Sequence, residues 1–466
     1  MTDTIASASL EALARWGDHP CLVTVSSDRQ PQMVSAAELQ SFIIEAARQL
    51  AGWGVRRAVP VALYLENSVD YVVILLALAR LGAVAVPGKL DYRAMELSEF
   101  FANANPPLVI SETAHLPVLG PFLADRTVVA RSAAGLTLSQ AGRQPLEEAA
   151  VPDDTASINY TYRGCGYPLG ALVSHQQYLH GARVLQDGLQ ARRGDRMLYS
   201  IPMSHIFTLV GCIMVPLLYG ITGVIARTIH PRLLFDAIAG LRIQHVTAVP
   251  ELYALMRRAK SATVTLPSLE AFVSGGSVLT ADEYQALRQT FGVEVLHGYG
   301  LTEFTPVSRN SRGQARAGTV GPICEGVDCR IESCGDSGDG EILVRGPTVS
   351  CGYYRRDAET RQAWNGTWFR TGDSGRLAGD HLVFLGEIKP TCKINGVMVD
   401  LHEVDRAFYM HPDIKKASVS AASGSLVAEV IVSSRCDPEE KVRQLKAFLK
   451  HNLAAYKVPR TINLIA

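Results

Sequence analysis

Val59-Pro60-Val61-Ala62-Leu63-Tyr64-Leu65, then Ser68 ahead of a helical pattern running to Leu81, then Ala83-Val84-Ala85-Val86-Pro87, reads as strand, helix, strand. The two outer runs are short, apolar and rich in β-branched residues, as strands buried on both faces are. Ser68 is a side chain that caps a helix. A strand–helix–strand unit of this kind places its strands in parallel with the helix across one face. The same rhythm returns at Pro107 to Ser111, Gly223 to Ala226 and His245 to Val249, predicting parallel sheets covered by helices. After Gly338 the texture changes to short strands separated by turn residues, as in Gly340-Glu341-Ile342-Leu343-Val344-Arg345-Gly346-Pro347.

The chain of 466 residues exceeds what one compact core organises, so two or more domains are expected. A boundary is placed at Gly386-Glu387-Ile388-Lys389-Pro390, giving 1–386 and 387–466. The second part reads as a hairpin at Asn395-Gly396, a helix from Leu401, two strands within Lys416 to Ser433 and a helix from Asp437 to Leu453. The fold class is therefore α/β: a large N-terminal domain and a small C-terminal α+β lid.

Lys+Arg 45 equals Asp+Glu 45, so the net charge is zero and no basic face for nucleic acid is expected. Hydrophobic residues at 47% and charged residues at 19% suit a globular enzyme. The N-terminus has no basic region leading into an apolar run, which favours a cytoplasmic protein. Phe207 to Ala226 is uncharged and about as long as a membrane span. Gly211, Pro216, Gly220 and Gly223 interrupt it, so it is read as a buried helix turning into a buried strand. Of the nine cysteines, Cys324, Cys329 and Cys334 are evenly spaced, yet lack a CxxC pair and histidine neighbours; free thiols are expected.

Two loops carry the chemistry. In Gly298-Tyr299-Gly300-Leu301-Thr302-Glu303, glycines flank a ring, a hydroxyl and a carboxylate, a set able to stack a base, donate to phosphate and hold Mg²⁺. Thr371-Gly372-Asp373 puts an acid after a tight turn, where it can accept from ribose hydroxyls. Each alone is also compatible with an ordinary turn.

In order and spacing these segments resemble the adenylate-forming superfamily of acyl- and aryl-CoA ligases, peptide-synthetase adenylation domains and luciferases. The resemblance extends through Val173-Ser174-His175, Ile201-Pro202-Met203-Ser204-His205, Ser274-Gly275-Gly276, Trp368 to Asp373, and Lys393-Ile394-Asn395-Gly396-Val397 with Glu403-Val404. It implies a large domain of helix-covered mixed sheets with a distorted β-barrel, and a lid that rotates between acyl-AMP formation and transfer to a pantetheine thiol. It implies catalytic roles for Thr302 and Glu303, with Glu303 as Mg²⁺ ligand if ATP is used. Gly298, Tyr299, Gly300, Asp373, Arg163, Gly166 and Gly170 would bind nucleotide. His205, Phe207, Ser274, Gly275, Gly276 and Val307 would border the acyl group, and Lys393, Asn395 and Gly396 the pantetheine tunnel.

Three departures bear on ATP. The family's phosphate loop is rich in small hydroxyl residues and ends in Pro-Lys-Gly; here Tyr160 to Gly170 carries Tyr162, Arg163 and Cys165, with Leu169 in place of the lysine. Arg163 supplies charge but also bulk. The family's Gly-Arg-x-Lys-Asp becomes Gly386-Glu387-Ile388-Lys389-Pro390, reversing one charge and stiffening the pivot. Tyr456-Lys457-Val458-Pro459 matches the segment leading to the C-terminal catalytic lysine, but no lysine follows before Ala466.

Together they predict an acyltransferase that moves an activated acyl group between CoA and an acyl carrier protein, with CoA or phosphopantetheine as cofactor and ATP and Mg²⁺ only if adenylation is retained. An ordinary ATP-dependent ligase acting on a carboxylic acid, and a non-catalytic homologue binding acyl-CoA or carrier protein, are the alternatives. Adenylation domains for α-amino acids place an aspartate after the Pro-x-x-His segment; here Phe207-Thr208-Leu209 stands there, so a neutral aryl or short-to-medium acyl group is expected. His175, His205 and His297 could each serve as a general base; for His175 and His297 a structural or pocket-lining imidazole is the favoured reading, and no base is assigned.

Overall fold

A computed structural model describes residues 3–26, 30–133, 135–333, 338–422, 424–433 and 437–465. Cys334 lies outside them. The opening stretch folds as read: strand Pro60–Tyr64, helix Val69–Arg80 and strand Val84–Pro87, the two strands parallel. Ser68 caps the helix by accepting the Tyr71 N–H. Both strands are buried throughout, because helices cover both faces.

Among the described residues the large domain contains two mainly parallel sheets, of eight and seven strands. The eight-stranded sheet runs through Ala271–Ser274 and Glu294–Tyr299, parallel neighbours with Ser274 opposite His297. A five-stranded antiparallel sheet follows, built on Asp328–Ser333, Gly340–Arg345, Trp368–Ala378 and His381–Glu387, with the short Trp364–Asn365 at its edge. Among the described residues it is an open sheet, not the distorted barrel expected: its described edge strands do not pair with each other to close it.

The Phe207 to Ala226 segment is buried, as a wide helical stretch Thr208–Met214, a helix Val215–Tyr219 and a strand Thr222–Ala226. No helix among the described residues is long and apolar enough to cross a membrane.

The small domain pairs Thr391–Ile394 with Val397–Asp400 around Asn395-Gly396. Helices Leu401–Tyr409 and Pro438–Asn452 pack on a three-stranded sheet. Its third strand, Thr461–Ile465, lies parallel to Ser425–Val432 and was not anticipated. The domain has its own apolar cluster, centred on Val399, Val404, Phe408, Leu445 and Leu449, to which the large domain contributes Met95.

Candidate active site

The strands Ala271–Ser274 and Glu294–Tyr299 end side by side, and the loops after them open a cleft between the large domain and the lid. Ligands of open parallel sheets bind at such carboxyl ends. Ser274, Gly275 and Gly276 form one wall and Gly298, Tyr299, Gly300, Thr302 and Glu303 the next. His205 and Phe207 close a third side, Arg163 and Asp373 a fourth, and Lys393 and Gly396 reach in from the lid. The Phe207 ring packs beside Gly275, 3.4 Å from where a Cβ would stand, which is ordinary van der Waals contact.

Four expected residues stand elsewhere. Val307 is fully buried in the cluster with Phe304, Leu169 and Tyr299, while its neighbours Pro306 and Ser308 line the cleft. Gly170 sits within the strand Leu169–Ser174, where a Cβ would lie 2.7 Å from Ile158 Cγ2. Gly166 faces the lid, donating its N–H to Asp400 Oδ2 at 3.1 Å. Asn395 is exposed at the hairpin turn with φ 50°, a conformation asparagine tolerates.

The two carboxylates of the site are already engaged. Glu303 is 1% exposed; it accepts from the Tyr353 hydroxyl and stands 3.7 Å from Arg163 Nη1. Arg163 also donates to the backbone oxygens of Arg370 (2.7 Å) and Thr371 (3.2 Å) and lies 4.9 Å over the Phe369 ring. Burial works against the Arg163 charge, but Tyr353, Glu303 and Asp373 outweigh it and its pKa rises. Asp373 accepts from the Tyr299 hydroxyl at 2.7 Å and from Lys389 Nζ at 2.8 Å. Burial, then the Asp373 charge, drives the Tyr299 phenol far above its ordinary range, so it stays a donor.

Neither cleft histidine suits a general base. Burial, with help from Lys89 and Lys393, lowers His205 to about 3, and burial lowers His297 to about 4. Imidazoles of that acidity hold a proton too weakly to draw one from a thiol. His205 Nδ1 accepts from the Phe207 N–H at 3.2 Å, and His297 Nδ1 is 3.1 Å from Ser274 Oγ. His175 lies outside the cleft lining, its Nδ1 accepting from the Ile5 N–H.

The altered phosphate loop is a hairpin between Thr155–Thr161 and Leu169–Ser174 that the lid grips. His402 Nδ1 donates to Gly164 O at 2.8 Å, Arg406 donates to Gly166 O, and a Cβ on Gly164 would strike Pro390 at 2.5 Å. Beneath the loop, Lys457 Nζ is fully buried and donates to Tyr162 Oη at 2.9 Å. It pairs with Glu96 and with Glu403, each at 2.5 Å. Burial lifts Glu403 to about 7 even against the pull of Lys457. Sequence reasoning took Lys457 only as a marker of position and missed Glu96. A lysine beside Tyr456 in an otherwise apolar segment was the available signal.

Among the described residues Cys324 and Cys329 are free thiols that join no cluster of metal-ligating side chains, and burial raises them to about 12 and about 11.

The family described as AMP-binding enzyme matches residues 10–354. The chain is 26% identical to the acyl-CoA synthetase ALT10 of Alternaria alternata, over 99% of this chain and 95% of that one. It is 27% identical to a feruloyl-CoA synthase of Amycolatopsis sp, over 91% and 89%. In fold it superimposes on the amide bond synthetase McbA of Marinactinospora thermotolerans with a TM-score of 0.86, at 21% identity and over 99% of this chain and 96% of that one. A malonyl-CoA ligase, seen with methylmalonyl-CoA and AMP, gives a TM-score of 0.82 at 23% identity, over 98% and 99%. A match running through sheets, cleft and signature loop alike makes this chain a member of the AMP-binding enzyme family.

Proposed function

We propose that this chain is an acyl- or aryl-CoA ligase-type enzyme in which thioester exchange has replaced ATP-driven activation. It would take an acyl group from CoA to the phosphopantetheine thiol of a carrier protein, or the reverse. The incoming thiol sulfur adds to the thioester carbonyl, a tetrahedral oxyanion forms, and the original C–S bond breaks. The proton lost by the incoming thiol ends on the departing one, so the exchange needs no other reactant. A thiol is acidic enough to ionise without a dedicated base, which suits the weakly basic cleft histidines.

The observation that carries this reading is the Arg163–Glu303–Tyr353 cluster. A carboxylate that is to hold Mg²⁺ needs free lone pairs; those of Glu303 face a guanidinium and a phenol. Arg163 also fills space that small residues leave to phosphate in the resembled loop. Thr302 would sit beside the oxyanion, where backbone donors near it could stabilise the charge. Lys393 and Gly396, already in the cleft, would flank the pantetheine arm. The residues would still fit nucleotide in part, since Tyr299 and Asp373 face the same cleft.

The test combines two incubations. With acid, ATP and labelled pyrophosphate, no exchange is expected; with acyl-CoA and holo carrier protein, mass spectrometry should find the acyl carrier. Robust pyrophosphate exchange would overturn the transferase reading. It would favour the second one, an ATP-dependent acid–thiol ligase, which the presence of Tyr299, Thr302, Glu303 and Asp373 around one cleft supports, as do the ligases among its relatives.

A further inference from the structure

Arg309 follows Ser308 on a two-residue strand that pairs antiparallel with Glu294–Tyr299, setting Arg309 opposite Gly298 at the cleft wall. Its side chain crosses to the helix His175–Leu189. There it lies against Gly188, where a Cβ would be only 2.2 Å from Nη1. Leu185 and Leu189, on the same face of that helix, line the cleft together with Arg309. The glycine thus makes room for a guanidinium at the cleft wall.

That guanidinium is under-satisfied. Nη1 donates to Ser311 Oγ, while Nε is buried without a partner. Among the described residues no carboxylate pairs with it. Three residues on, Arg312 takes Glu270 at 2.5 Å and Glu294 at 4.0 Å, so the local acids are spent on the other arginine. The closing turn of the helix offsets part of the Arg309 charge through its dipole, but gives Nε no lone pair. Buried donors and charges are costly unless matched, and a planar carboxylate is the partner that a guanidinium fork fits.

We propose that Arg309 is a specificity residue that receives a carboxylate at the far end of the acyl group. The substrates would be monothioesters of dicarboxylic acids rather than the neutral acyl groups expected from the sequence. This rests on the cleft being the acyl pocket of a thioester-handling enzyme.

The experiment measures binding by calorimetry, without ATP, for matched pairs of CoA esters from three to eight acyl carbons. Each pair is a neutral ester and its ω-carboxylate, such as hexanoyl-CoA and adipoyl-CoA. The wild type should prefer the carboxylated member by about tenfold or more at its best length. Arg309→Gln should abolish the preference while leaving the affinity for the neutral member within about threefold. Arg309→Lys should keep part of it. Gly188→Ala, which displaces the guanidinium and leaves its charge, should lose it as well. Equal or better binding of the neutral esters at every length would overturn the inference, as would equal weakening of both members by Arg309→Gln. If no CoA ester binds, the free acids are compared in the same way. A preference for dicarboxylates there keeps Arg309 in its role and sinks the thioester reading instead; no preference sinks both.

Discussion

Arg163 and Glu303 come from separate loops and meet with the guanidinium 3.7 Å from the carboxylate, both nearly buried. A residue of the altered phosphate loop thus neutralises the acid expected to hold the metal. Replacing Arg163 by Ser should raise affinity for Mg·ATP by about tenfold, measured by calorimetry, and should raise pyrophosphate exchange. Losing two backbone hydrogen bonds and the contact with Phe369 should cost about 1–3 kcal/mol of stability. Unchanged nucleotide affinity would show that the guanidinium does not stand in the way.

Lys457 is held between Glu96 of the large domain and Glu403 of the lid with no exposure to water. Lys457→Met leaves two carboxylates buried together without their cation. The expected loss is about 3–5 kcal/mol in urea unfolding. Faster cleavage by a glutamate-specific protease after Glu387, between the domains, would report a loosened lid. Tyr162→Phe removes one hydrogen bond and should cost about 1 kcal/mol.

Gly396 has φ +79°, and a Cβ there would lie 2.7 Å from Val249 Cγ1 across the domain junction. Gly396→Ala should slow acyl transfer by more than tenfold while moving stability by about 1–3 kcal/mol. Val249→Ala in the same chain should recover much of the rate. Assay of the two single variants and the pair decides it, since strain at φ alone would not be rescued.

His297 is 5% exposed and is lowered to about 4 by burial. The unfolded chain, near 6.5, binds the proton more tightly. Its contribution is therefore complete above pH 6.5 and is lost as the pH falls toward 4. Between pH 6.5 and 5 the loss amounts to about 2 kcal/mol. His297→Asn should flatten that part of the stability profile, read from urea unfolding at pH 7 and pH 5.

What the sequence disclosed depended on range. Pro60–Tyr64 to Val84–Pro87 was legible because an apolar run, a capping serine and a second run lie within thirty residues. Thr461–Ile465 was not, because its five residues carry only weak alternation and no flanking signal sets them apart as a strand. In the site, motif residues on contiguous loops, Ser274 to Gly276 and Gly298 to Glu303, did converge. The bulk of Arg163 was visible in the sequence; its pairing with Glu303 joins positions far apart and was not. Val307 stands between two cleft-lining neighbours, Pro306 and Ser308, yet packs into the core, a difference of side-chain direction that no motif records.

Glu96, Tyr162, Glu403 and Lys457 arrive from four distant segments and share one buried pocket. Any one of them changed alone strands a charge or a donor. All exchanged together for apolar residues of similar volume would be nearly neutral, or stabilising. Drift at these positions is therefore ratcheted: each is frozen by the other three, and escape demands concerted replacement. A designed swap of the full quartet would reveal whether the charges serve the lid's orientation or are merely an inherited deadlock.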